Sequence, residues 1–286
     1  MDGRGDAGSN GRLAAMKLLL IPALLGSLVT TVPVAQEVDI AVTPEGFAAP
    51  ATLRAGSVTL RVRSSDPQGA WIGLVKPRPG ITLERYLADL ERSMGSDPVE
   101  GGKAVLQDVE MLGGVAVAGV PASVTLRVPP GDHYLVDFRD VGQPGLASRV
   151  RPVRVLPERA GAAAPASAQI TLLDGRFLAP ARLTGPVRVV NRSAQHNEAM
   201  LMPVRPGTSL PDLDAFFTEV DAGRYPARSP FTGGPTGVVP LSPGRSAVLD
   251  APLPPGEYAL VTWVREIRTG KMFAARGMRA LITVGG

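Results

Sequence analysis

Chemistry in this chain must come from very few side chains, because its 286 residues include two histidines and no cysteine. His133 lies inside the run PPGDHYLVDF, and His196 follows Asn191 in NRSAQH. Imidazole and thioether together suit a soft cuprous ion. His196 and Met278, the latter in the terminal GKMFAARGM, therefore form one candidate pair, with Met200 and Met202 near His196 in sequence. Alternation puts Met200 and Met202 on one face of a strand, which is also what two core residues would show. His133 has no Cys, His or Glu at metal-ligand spacing and is assigned no role. Without cysteine there is no thiolate metal site, no thiol nucleophile, no lipid anchor through Cys and no disulfide.

Other constellations are incomplete. A Ser-His-Asp arrangement would have to recruit His133 or His196, and the sequence has no GxSxG elbow, Walker loop, strand-linked GxGxxG or HExxH. The acidic set Asp212, Asp214, Glu219 and Asp221 lacks the spacing of a calcium loop and reads as the solvated, dipole-favoured face of a helix. Trp71 and Trp263 lie in apolar strands and read as core anchors. No catalytic residue and no metal site are assigned, and the chain is expected not to be an enzyme.

The elements that must position these groups come in two copies. FAAPATL at Phe47–Leu53 returns as FLAPARL at Phe177–Leu183, PGITL at Pro79–Leu83 as PGTSL at Pro206–Leu210, and PPGDHYLVDF at Pro129–Phe138 as PPGEYALVTW at Pro254–Trp263. In the first copy the apolar residues alternate in short runs: Val38-Ile40-Val42, Val58-Leu60-Val62, Val124-Leu126-Val128 and Tyr134-Val136-Phe138. Period two between Gly- and Pro-rich turns predicts half-buried strands. Leu83, Leu87 and Leu90 instead recur at helical spacing, predicting a helix over Ile81–Arg92 capped by Thr82; Pro211–Val220, capped at Ser209 or Leu210, is its counterpart. Residues 36–157 and 168–286 thus form two domains, joined by a linker at 158–167 whose Ala-rich composition shows no alternation. With 44% hydrophobic residues the chain has material for two cores, while Gly 33 and Pro 28 fit a fold with many turns.

The second copy resembles the cupredoxin-like (plastocyanin- and azurin-like) domains of bacterial exported proteins. The likeness rests on Asn191 and His196, a helix, then PPGEYALVTWV and GKMFAARGM. It implies an all-β fold of two tandem cupredoxin-like Greek-key β-sandwiches, each with one short inserted helix. In that family a His-His-Cys set with a weak axial Met makes the redox copper site. Carried over, His196 and Met278 match the first His and the Met, but Thr262 stands where the Cys would be and Phe273 where the second His would be. In the first copy Gly69 falls opposite His196, and Asp137 opposite Thr262. These four positions, His196, Met278, Thr262 and Phe273, read as a vestigial copper site, with no cofactor expected.

Near the N-terminus, Lys17 precedes the uncharged, largely apolar run Leu18–Ala35, which reads as residues 1–35 of a secretory signal peptide; Met16 is an alternative start. The protein is expected to be exported, periplasmic or extracellular, touching a membrane only if that segment is retained. A charge of +4 carried mainly by scattered Arg gives no nucleic-acid footprint. The reading is an exported, non-catalytic β-sandwich protein of the cell envelope that binds a protein partner, with the loop Ala222–Pro235 offering Arg224, Tyr225, Arg228 and Phe231 as contacts. Two alternatives stay open: a copper-handling protein holding Cu(I) through His196 and Met278, and a hydrolase on a sandwich scaffold.

Overall fold

The computed structural model describes residues 35–162 and 164–285, so the segment read as a signal peptide lies outside the described residues. The described residues form one compact unit. The first half contains β1 (Gln36–Thr43), β2 (Gly46–Phe47), β3 (Thr52–Ser64), β4 (Ala70–Pro77), α1 (Leu83–Met94), α2 (Pro98–Asp108), β5 (Val109–Val117), β6 (Ala122–Val128), β7 (Gly131–Asp137), α3 (Leu146–Arg149) and β8 (Arg151–Ala160). In the second half are β9 (Ala168–Leu173), β10 (Arg176–Leu178), β11 (Arg182–Leu183), β12 (Val187–Asn191), β13 (Asn197–Pro203), α4 (Leu210–Asp221), β14 (Thr236–Leu241), β15 (Ser246–Asp250), β16 (Gly256–Val261) and β17 (Arg279–Val284). The chain is all-β with short helices.

Strand pairings of the first half recur in the second. β1 runs antiparallel to β2 and parallel to β3, as β9 does to β10 and β12. Antiparallel pairs β3–β6, β4–β5, β4–β7 and β7–β8 recur as β12–β15, β13–β14, β13–β16 and β16–β17, and parallel β3–β8 recurs as β11–β17. Register fixes the equivalences: Gly73 opposes Gly114 and Val136, while Met200 opposes Gly237 and Val261. One residue earlier, Ile72 opposes Val115 and Ala199 opposes Val238. Counting back along β4 and β13 sets Gly69 opposite His196.

The halves are joined by their own equivalent strands. β5 pairs antiparallel with β14, Val115 facing Val238, and β6 pairs antiparallel with β15, Thr125 facing Val248. Each of these two pairs matches a residue with its own counterpart, so a local twofold axis runs through both. Two continuous layers result, β1-β3-β6-β15-β12-β9 and β8-β7-β4-β5-β14-β13-β16-β17, tied together by β3–β8 and β11–β17. One apolar cluster between them draws on both halves, from Ile40, Leu60 and Leu126 to Leu172, Leu241 and Leu260. At about 1.5–3 kcal/mol for each fully buried aliphatic side chain, this shared cluster is the main stabilising contribution.

Helices cover only the second layer, which explains where alternation is clean. In β1 the buried residues are Val38, Ile40 and Val42, with solvent on the other face. β5, by contrast, is buried almost throughout, as strands covered on both faces are. The same cover changes β7: Leu135 enters the core between layers, whereas Val136 and the neighbouring Tyr134 and Phe138 pack under α1 and α3. The first half carries two substantial helices, not the single inserted one expected. Gly101 and Gly102 obscure the pattern of α2, which is nonetheless started by Asp97 accepting from Glu100 N and by Pro98 at its first position. Gly101 is required there, because a Cβ would sit 2.4 Å from Ser93 N of α1. α1 begins at its Thr82 cap, and α4 at a capping box between Ser209 and Asp212. β8 continues into the segment read as linker, Arg159 and Ala160 pairing with Ala55 and Gly56.

Candidate functional site

The residues singled out by type lie where β13 begins and β16 ends. Asn191, wholly buried at the end of β12, shapes the approach: its Nδ2 donates to the carbonyls of Gln195 (2.8 Å) and Leu241 (2.6 Å), and its Oδ1 accepts from Ser193 N. Gln195 then ties this loop to the segment after β16, donating to Arg265 O at 2.8 Å and accepting from Ile267 N at 3.0 Å. Asn197 and Glu198 are thereby held against Thr262 and Trp263.

The hydroxyl of Thr262 donates to Asn197 Oδ1 at 3.0 Å, and Asn197 Nδ2 donates to the Met278 sulfur at 3.5 Å. Thr262, Asn197 and Met278 have no exposed surface, and Phe273 is buried beside Met278 in the core between layers. The turn carrying Phe273 and Met278 is pinned by Phe273 N to Val264 O and Met278 N to Phe273 O. Glu198 is buried with them and accepts from Trp263 N at 2.7 Å; burial pushes its carboxyl up to about 7, the Trp263 N–H opposing. The sequence reading missed Asn197 and Glu198. Their signal was available: two adjacent polar residues opening the apolar run AMLMPV.

His196 faces different surroundings. Its ring lines a narrow cleft of about 90 Å³ walled by α1, α2, Met111 of β5 and the Val264–Ile267 segment; Met278, Thr262 and Phe273 are not among the walls. Nε2 is buried without a hydrogen-bond partner. Burial brings the His196 imidazole down to about 4, with Arg78 adding to the effect and the Val109 backbone opposing it. The structure thus joins Thr262 and Met278 through Asn197 and turns His196 toward the helices of the other half.

At the equivalent end of the first half, Gly69 stands opposite His196 and Asp137 opposite Thr262. Gly69 has φ +80°, and a Cβ there would meet Val117 O at 2.3 Å. Asp137 accepts from Trp71 N at 2.8 Å, the bond that Glu198 and Trp263 make with acid and tryptophan on exchanged strands. Arg139 fills the corner, bonding Gly69 O at 2.8 Å and pairing with Asp66 at 2.6 Å. A type 1 copper centre does not fit either end: the chain has no thiolate, Met278 sulfur already accepts a hydrogen bond, and Phe273 offers no donor atom. Among the described residues no group of three or more His, Cys, Asp or Glu could hold a metal, and no helix is long and apolar enough to cross a membrane.

The remaining candidates are accounted for structurally. Met200 and Met202 are buried under α4 with Phe216 and Phe217. Trp263 packs edge-on against Phe217 at 5.2 Å. His133 is buried, with Nδ1 at 3.0 Å from Gly131 O. Of the acidic set, Asp212, Asp214 and Glu219 meet solvent, Asp212 capping α4, Glu219 pairing with Arg224 and Asp214 with Arg279, whereas the Asp221 side chain is buried and accepts from Arg265 and Met272 N. In the loop 222–235, Tyr225 is exposed, but Phe231 turns inward to Phe216 at 5.2 Å and offers no contact surface.

No protein-family model matches this chain, and no curated protein matches it. Solved structures similar to it include reduced auracyanin from Roseiflexus castenholzii, 21% identical over 43% of this chain and 100% of that one, TM-score 0.25. The copper-containing nitrite reductase of Thermus scotoductus is 11% identical over 90% of this chain and 69% of its own, TM-score 0.25. Blue copper oxidase from Nitrosomonas europaea is 13% identical over 87% and 85%, TM-score 0.25. At these scores the likeness is one of pattern, and the β architecture rests on the strand pairing itself.

Proposed function

We propose that this chain is an exported, non-catalytic binding protein of the cell envelope, built on paired cupredoxin-like sandwiches whose redox sites have closed. One observation carries the reading. The Thr262–Asn197–Met278 chain of hydrogen bonds and the buried Phe273 occupy the place where the sequence resemblance would put copper. A satisfied, solvent-free polar network favours one fixed structure over turnover.

Recognition has a candidate surface where the halves meet. A groove of about 630 Å³ is lined by Val120 from the first half and by Pro203, Pro206, Leu253, Pro255 and Tyr258 from the second. Its walls are mainly apolar, with exposed backbone at Gly233 and Gly234, a composition suited to an extended peptide segment of an envelope protein. A photo-crosslinking residue placed at Val120 or Leu253 in the expressing cell tests this. The same residue at Leu178, exposed on β10, is the control. Discrete adducts from the groove positions alone are expected; equal labelling from Leu178, or none from the groove, would sink the proposal.

A further inference from the structure

The cleft beside His196 contains a chemistry that neither the closed copper position nor the groove uses. Its walls are almost wholly aliphatic, yet they include one imidazole with a buried, unpartnered nitrogen and two thioethers, Met94 from the last turn of α1 and Met111 from β5. A buried polar atom without a partner calls for an explanation. We infer that His196 Nε2, Met111 and Met94 form a binding site for a soft monovalent metal ion, Cu(I) or its analogue Ag(I), between the two halves of the chain.

The ligand chemistry agrees with that ion. Imidazole must be neutral to bind a metal, and thioethers select Cu(I) over harder ions. No carboxylate lines the cleft, so it lacks the hard oxygen ligands that divalent ions such as Mg²⁺ and Ca²⁺ take. Arg265, the one charged residue among the walls, is held by Asp221 at 2.9 Å and by Gly270 O at 2.8 Å, so its charge is partly balanced. The cleft of about 90 Å³ has room for a bare ion. Met111 is buried, whereas Met94 is 57% exposed and stands at the mouth, where a flexible thioether can close over an ion. Met278 cannot serve in the same way, because its sulfur accepts from Asn197 and it is outside the cleft.

The test is titration of the full-length chain with Cu(I) against a competing chelator, beside His196→Phe, Met111→Leu, Met94→Leu and Met278→Leu. The expected result is one bound equivalent that is lost in His196→Phe and Met111→Leu, weakened in Met94→Leu and unchanged in Met278→Leu. Absence of stoichiometric binding, its survival in His196→Phe, or its loss in Met278→Leu with retention in Met111→Leu would each overturn the assignment. X-ray absorption of the Cu(I)-loaded parent is independent of how the variants fold. Sulfur scatterers together with one imidazole support the site, and a shell of oxygen and nitrogen alone refutes it. Because the readout is metal, its failure leaves the groove reading standing and is distinguishable from failure of the crosslinking experiment.

Discussion

Replacing Glu198 with Gln isolates the cost of a buried charge. The carboxyl accepts from Trp263 N and is sealed from solvent, and burial raises it from its ordinary 4.5 to about 7. Between those values the folded chain keeps a proton on Glu198 that the unfolded chain has released. This group's contribution is therefore fully present below pH 4.5 and is lost as the pH rises through about 7. At about 1.4 kcal/mol per unit, ionising Glu198 in the folded state costs about 3 kcal/mol. Glu198→Gln keeps an acceptor for Trp263 N and removes the ionisation. The variant should match the parent at the acid end of the window and exceed it by about 3 kcal/mol above pH 7. Urea unfolding of the chelator-treated, full-length chain, followed by tryptophan fluorescence, measures both. His133 and His196 titrate in the opposite sense, but they cancel in the difference between variant and parent. A difference that is the same at both ends of the window would refute the reasoning.

Three other outcomes are expected. His133, brought down to about 4 mainly by burial, supplies stability that is present above its ordinary 6.5 and lost as pH falls through about 4; His133→Leu should spare about 3 kcal/mol of that acid loss, read from unfolding curves across the window. Gly114→Ala and Gly237→Ala each drive a Cβ into strand backbone, at 2.0 Å from Ile72 O and 2.2 Å from Ala199 O. Each should cost about 1–3 kcal/mol or more in chemical unfolding. Gly119→Ala, which meets nothing within 4 Å, should be neutral. Ser209→Ala removes the cap and its box with Asp212, and a loss of about 1 kcal/mol in thermal unfolding is expected.

Legibility followed burial. Strands of the first layer were readable because one face meets solvent, so Val38-Ile40-Val42 and Val58-Leu60-Val62 alternate cleanly. Strands under helices lose that contrast, which is why β7 assigns Val136 and Leu135 to different clusters that period two alone could not distinguish. Thr82 and Ser209 announced two helices through their caps; α2 stayed hidden behind Gly101, whose reason is contact with α1 and not local preference. Thr262, Phe273 and Met278 were visible as positions, but the network depends on Asn197, whose partners are distant in sequence. The His196 cleft was illegible for the same reason, since its walls come from both halves. Joining β5 to β14 leaves no local signature at all.

That join also says what half of the chain would be. Where β5 meets β14 and β6 meets β15, each strand faces its own equivalent, so the seam is an isologous interface folded into one polypeptide. Residues such as Val115 and Val238, or Thr125 and Val248, meet as the same residue would meet itself across a dimer axis. A polypeptide carrying either half alone would bare two strand edges and an apolar layer. Its natural cap is a second copy of itself, so the separated halves are expected to be dimers, an association that the continuous chain makes intramolecular.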